Sequence, residues 1–183
     1  MIFLRILIAT DQFSPMTGGL VAAIERLALN LKSRSHSVLI LAPSKTHSQK
    51  SYFHKGLRVI GFPSFSVPFL ETKVYIPYPF LINNLTRQTI EEFNPDIVHI
   101  ESCYAIGKSA LKYANQIGIP VVATSHFIPE NIIFQFHLPK FAECKAKEVI
   151  WEQIFESFGQ ADAVTIPTST AAKFTKKWVF QKK

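Results

Sequence analysis

The 183 residues contain only two cysteines, Cys103 and Cys144. They make no disulfide framework and no metal-ligand spacing, and a reducing compartment suits them. Long apolar runs are missing too. The longest near the start, IFLRILIA, is broken by Arg5 and falls far short of the roughly 20 residues a membrane span needs. It lacks a charged leader and a small-residue cleavage site, so it does not read as a signal peptide. Acidic residues are in the minority, 13 against 20 Lys and Arg, which gives a formal net charge of +7. That imbalance points to anionic partners: nucleic acid, lipid head groups or phosphorylated small molecules. No segment is polar and repetitive enough to read as disordered, and no repeat or linker divides the chain. One cytoplasmic domain of ordinary size is the expectation.

Hydrophobic residues are plentiful at 48%, and 16 are phenylalanine. A basic, aromatic composition suits single-stranded nucleic acid, a surface resting on lipid, or a Phe-rich core under solvated lysines. No nucleic-acid motif accompanies the charge, so nucleic acid is set aside.

The apolar pattern alternates between short runs and helical spacing. Ile2 to Ala9, Val38 to Ala42, Leu57 to Phe62, Ile97 to Ile100, Val121 to Ala123 and Ala163 to Ile166 read as strands. Leu20, Ile24, Leu27 and Leu31 recur at helical spacing, as do Ile150, Trp151, Ile154, Phe155 and Phe158. Further helices are expected over Phe80 to Phe93 and over Ala105 to Ile117, the latter closed by Gly118. From Pro63 to Pro79 four prolines argue against a regular ladder or helix. Strand and helix in strict alternation predict a single α/β domain with a Rossmann-like, doubly wound parallel sheet. In such sheets ligands sit beyond the carboxyl ends of the strands. The polar residues collect there: Asp11 to Gly19, Ser44, Glu101 and Ser102, Thr124 to Asn131, Thr168 and Ser169.

Four stretches could carry chemistry. In TDQFSPMTGG, Gly18 and Gly19 let backbone amides approach a ligand at a helix start, where an anion is favoured; a turn that merely needs positive φ is the plain alternative. The dinucleotide pattern GxGxxG is absent, which disfavours a nicotinamide cofactor. In ESCYAIGKSA, Gly107, Lys108 and Ser109 spell the end of a P-loop, but Ser102 stands where the motif demands glycine, so a helical turn is the better reading. In TSHFIPEN, His126 could be a general base, a ligand to an anion or sugar hydroxyl, or a metal ligand with Glu130. No His or Cys completes a metal set, because His99 and His137 sit in unrelated contexts. Finally, Phe65, Phe69, Tyr75, Tyr78 and Phe80, with Arg58 and Lys73 nearby, suit either a greasy, anionic contact or a satellite cluster folded over the sheet edge.

Taken in order, RILIATDQFSPMTGGLVAAIERLALNLKSRSHSVLILAPS, RVIGFPSFSVPF, NPDIVHIES, GIPVVATSHFIPENI and ADAVTIPTSTAAKF resemble the N-terminal, acceptor-side domain of glycosyltransferase family 4, which has the two-domain GT-B architecture. The VATSHFIPEN and PSF stretches look most like members that glycosylate membrane lipids. The resemblance implies a retaining transfer of a hexose from a nucleotide-diphosphate sugar to an acceptor hydroxyl, with no metal and no cofactor. It implies that Gly18 and Gly19 offer amides to the donor phosphate or the acceptor. His126 would hydrogen-bond the transferred sugar and stabilise an oxocarbenium-like transition state. Asp11, Arg58, Glu101, Thr124, Glu130 and Asn131 complete the implied substrate-binding set. Lipid acceptors would place the protein on the inner face of the membrane. The family commonly has glycine where this chain has Ser35, a change expected to affect the turn into the second strand.

Family members continue into a second Rossmann-like domain that binds the nucleotide. Residues 1–173 are expected to form the acceptor-side domain and 174–183 a basic tail or truncated hinge, with the donor domain absent. Such a polypeptide is expected to be inactive alone and to need a partner carrying the donor half. The competing expectation is a binding module without catalysis, docking on an anionic membrane surface or a partner subunit.

Overall fold

The computed structural model describes residues 2–66, 74–126, 139–169 and 172–173. The chain opens with β1 (Arg5–Ala9), α1 (Gly19–Ser33) and β2 (Ser37–Pro43). Three strands follow without a helix: β3 (Lys50–His54), β4 (Leu57–Phe62) and β5 (Ser64–Ser66). Next come β6 (Tyr75–Pro77), α2 (Pro79–Phe93), β7 (Ile97–Ile100), α3 (Ala105–Gln116) and β8 (Val121–Thr124). The described part ends with α4 (Lys140–Phe158) and β9 (Ala163–Thr165).

Seven strands form one sheet in the order β3-β4-β2-β1-β7-β8-β9. All neighbours pair in parallel except β3, which runs antiparallel to β4. The doubly wound parallel sheet is therefore present, but strict alternation fails after β2. The edge strand β3, KSYFH, alternates exposed and half-buried residues, so it shows none of the continuous apolar character of a buried parallel strand. The proline-rich stretch also holds a short ladder: β5 and β6 pair with Ser64 opposite Pro77 and Ser66 opposite Tyr75. Pro77 stands at the end of this two-stranded ribbon, where a missing amide costs little.

Because successive side chains in a strand point to opposite faces, the central strands feed two cores. Leu7, Ala9, Leu39 and Leu41 face the larger one, which α2, α3 and α4 cover with Ile82, Ile90, Ile106, Leu111 and Trp151. Trp151 stacks on Phe155 with ring centroids 5.4 Å apart. Ile6, Ile8, Ile40 and Ala42 face the smaller core, which α1 covers. The buried stripe of α1 is Val21, Ile24 and Ala28, and the leucines at 20, 27 and 31 pack on its flanks.

Helix α1 ends in a Schellman turn: His36 N donates to Leu31 O at 3.2 Å and Ser35 N to Lys32 O at 2.9 Å. Ser35 takes φ 68° there, the left-handed region that favours glycine. Helix α2 starts with Pro79 at its first position, where the missing amide is harmless. Among the described residues no helix is long and apolar enough to cross a membrane. The 174–183 tail lies outside them.

Candidate functional site

The strand order reverses between β1 and β7: β2 and β4 lie to one side, β8 and β9 to the other. At such a switch point the loops leaving two adjacent parallel strands diverge and open a crevice. A cavity of about 180 Å³ sits there, lined by Asp11 and Gln12 after β1, Glu101 to Tyr104 after β7, Thr124 and His126 at the end of β8, Leu20 of α1 and Phe158 of α4.

Its polar wall is a chain of side chains crossing three strands. His126 donates from Nε2 to Glu101 Oε2 at 2.5 Å. His99 Nε2 lies 3.2 Å from Glu101 Oε1 and 2.7 Å from Thr124 Oγ1. Thr124 Oγ1 is in turn 2.8 Å from Thr165 Oγ1. The Glu101 side chain is only 2% exposed, against 16% for His126. Strand register explains the convergence. His99 is opposite Val122 and Ile100 opposite Ala123, so the next step sets Glu101 beside Thr124. Burial pushes the His99 pKa below the ordinary 6.5, His126 adds to that, and Glu101 opposes it.

Asp11 is committed differently. Its carboxylate accepts from Ile106 N at 2.8 Å, Gly107 N at 3.4 Å and Ser102 Oγ at 2.5 Å. It thus fills the role of a cap for α3, whose own N-cap residue, Tyr104, provides no side-chain cap. Burial raises its pKa, and these hydrogen bonds oppose the rise. Gly107 is structural for the same reason: a Cβ there would sit 1.8 Å from the Ser102 carbonyl oxygen. The GKS triplet is the first turn of a helix pressed against a strand end. Cys103 lines the cavity as a neutral thiol, its pKa pushed up to about 11 by burial.

Gly18 caps α1 at φ 145° and ψ 174° without a side-chain hydrogen bond. A Cβ at Gly18 or Gly19 would meet nothing within 4 Å, so both positions have open space at the side-chain position, directly before Leu20 at the cavity rim. Of the sequence-derived candidates, Asp11, Glu101, Thr124 and His126 line one cavity, and Gly18 and Gly19 directly precede its rim residue Leu20 in the chain. Arg58 does not join them. It is exposed near the amino end of β4, paired with Leu39 and Phe53, four residues before the carboxyl end of that strand. Four residues at about 3.3 Å each carry it well away from the crevice. Glu130 and Asn131 lie outside the described residues.

The sequence reading missed His99 as a member of the site. The signal lay in the period of two in HIES and TSH, which puts His99 with Glu101 and Thr124 with His126 on shared faces. Among the described residues no His, Cys, Asp and Glu cluster could hold a metal ion. Phe65, Tyr78 and Phe80 form a row of tilted rings 5.6 and 5.7 Å apart, and Tyr75 packs on the α1-side core. Phe69 and Lys73 lie outside the described residues.

Comparison with known proteins adds what geometry leaves open. A GDP-mannose-dependent alpha-mannosyltransferase of Corynebacterium glutamicum is 24% identical over 168 residues, 91% of this chain and 38% of that protein. An alpha-monoglucosyldiacylglycerol synthase of Acholeplasma laidlawii is 26% identical over 123 residues, 67% of this chain and 30% of that protein. Among solved structures, sucrose-phosphate synthase from Thermosynechococcus elongatus superposes with a TM-score of 0.64 at 12% identity, over 96% of this chain and 45% of that one. That likeness shows the fold alone. The chain spans less than half the length of each of these three proteins. The sequence pattern of Glycosyltransferase Family 4 runs over residues 17–183, almost the whole domain just described, and the chain belongs to that family.

Proposed function

We propose that residues 1–173 form the acceptor-side domain of a retaining transferase that moves a hexose from a nucleotide-diphosphate sugar to an acceptor hydroxyl, the acceptor being a membrane lipid. The observation that carries the reading is the cavity at the β1/β7 switch point, with an imidazole on its wall and the first turn of α1, through Leu20, at its rim. The amides of α1 suit the negative charge of a diphosphate or a phosphorylated acceptor. His126 suits a sugar hydroxyl near the reacting carbon and the positive charge that develops there. Two named relatives support the substrate classes: one takes mannose from GDP-mannose, and the other makes a glucosylated diacylglycerol.

In this reading the nucleotide is held by a second domain, on the same or another polypeptide. The 183-residue polypeptide by itself is therefore expected to bind an acceptor measurably, a nucleotide-sugar weakly, and to transfer almost nothing. Calorimetric titration with GDP-mannose and a short-chain diacylglycerol, with an assay for released nucleotide, checks all three. Steady turnover by this polypeptide would overturn the divided-site reading. In the complete transferase, replacing His126 by alanine is expected to lower kcat by on the order of 10²-fold, and an unchanged kcat would remove His126 from the chemistry.

A second reading has its own observation. Phe141 is 80% exposed on α4, next to Lys140 and with Lys145 one turn on. A non-catalytic module docking on anionic membrane would bind anionic vesicles in a salt-sensitive way and bind no sugar.

A further inference from the structure

We propose that Glu101 is a positioning residue that fixes the tautomer of His126 and leaves His126 Nδ1 as the acceptor for a substrate hydroxyl. The substrate part rests on the transferase reading; the tautomer part rests on geometry alone.

A carboxylate only accepts hydrogen bonds, and one buried to 2% exposure needs donors on its oxygens. Among the described residues no Lys or Arg forms an ion pair with Glu101. Oε2 stands 2.5 Å from His126 Nε2 in a hydrogen bond, whereas His99 Nε2, 3.2 Å from Oε1, makes its hydrogen bond with Thr124 Oγ1 at 2.7 Å. A bare nitrogen lone pair 2.5 Å from a carboxylate oxygen would be repelled, so His126 presents N–H at Nε2. A neutral ring protonated at Nε2 has an unprotonated Nδ1, and His126 lines the cavity. The rest of the chain secures the carboxylate. His99 Nε2 meets Thr124 Oγ1, and Thr124 Oγ1 meets Thr165 Oγ1, so the side chains around Glu101 are tied across β7, β8 and β9. This geometry also moves Glu101 out of the substrate-binding set, because a side chain only 2% exposed leaves almost no surface for a ligand.

Replacing Glu101 sharpens the test. Glutamine keeps one accepting oxygen, which can still take the His126 Nε2–H, whereas leucine of similar bulk offers none. His126 should therefore keep its tautomer in Glu101→Gln and show Nδ1–H in a measurable share of molecules in Glu101→Leu.

Long-range ¹H–¹⁵N correlation spectra of the ¹⁵N-labelled chain read this directly at a pH well above the ordinary histidine value of about 6.5. The expected wild-type result is Nε2–H with bare Nδ1 for His126. Glu101→Gln is expected to keep that pattern and Glu101→Leu to lose it in part. A wild-type His126 carrying its proton on Nδ1 overturns the proposal, and so does a folded Glu101→Leu in which His126 stays wholly Nε2–H. The wild-type spectrum decides even if the variant does not fold. Adding a short-chain diacylglycerol and GDP-mannose tests the substrate part. Binding that shifts the His126 Nδ1 signal supports it, and binding that leaves that signal unmoved overturns it. No binding of either compound overturns the transferase reading while the tautomer result stands.

Discussion

In an open helix, exchanging glycine for alanine stabilises by about 1 kcal/mol. At Gly107 the sign is expected to reverse. The added Cβ would lie 1.8 Å from the Ser102 carbonyl oxygen, 2.9 Å from its carbon and 3.2 Å from Ser102 Oγ, whereas ordinary contact begins near 3.4 Å. The obstacle is backbone at a strand end, so the start of α3 has to lift by roughly 1.5 Å to restore ordinary contact distances. That movement pulls the Ile106 and Gly107 amides away from Asp11, which they now reach at 2.8 and 3.4 Å. Overpacking of this kind costs about 1–3 kcal/mol, and a lost hydrogen bond to a charged group about 1.5–3 kcal/mol. Less the propensity gain, Gly107→Ala is expected to destabilise by about 2–5 kcal/mol.

Urea unfolding followed by circular dichroism gives the answer, with a midpoint expected to fall by roughly 1–2 M. The companion variant Gly19→Ala meets nothing within 4 Å and has no positive φ, so its midpoint should hold or rise slightly. A Gly107→Ala midpoint at or above the wild-type value would refute the claim that this glycine exists for close packing and not for a phosphate.

Ser35→Gly removes a left-handed side chain from the α1 Schellman turn, a strain of about 1–2 kcal/mol, against about 0.5–1 kcal/mol of added unfolded-state entropy. The thermal midpoint should rise by about 1–4 °C, and a fall would show that Ser35 makes a compensating contact. The depressed pKa of His99 has a definite sign in stability: the unfolded chain takes up its proton first. The contribution is full above about pH 6.5 and is lost as pH falls through that value towards the lower folded-state pKa. Urea midpoints measured from pH 7.5 down to 5.5 should therefore drop more steeply for wild type than for His99→Gln, and parallel slopes would place the acid sensitivity elsewhere.

Much of this architecture is legible in the apolar runs. LILIA-like text that is buried on both faces, as in β1 and β2, has one reading in a parallel sheet. The two misses have one cause. β3 and the β5/β6 ribbon belong to edges, where a strand needs neither apolar continuity nor every amide, so Lys50, His54 and Pro77 are tolerated. Within the site, residue types at strand ends were visible, but partnerships were not. Asp11 meets Ser102 across 91 positions of sequence, and only the β1/β7 pairing reveals that its carboxylate is spent on a helix start. Arg58 erred in the opposite direction: its charge was legible, and its distance from the carboxyl end of β4 was the deciding fact.

The two faces of the sheet differ in when their parts become available. Every named member of the α1-side core lies between Leu4 and Tyr75, whereas the opposite core needs Trp151, Ile154 and Phe158. A ribosome emitting the chain from its amino end therefore releases one complete apolar nucleus long before the second can close. The crevice is assembled late, because Glu101, Thr124 and His126 arrive on strands that add to a half-sheet already packed. A nascent chain arrested after β4 should already shelter Ile8 and Ile24 from solvent while having no crevice.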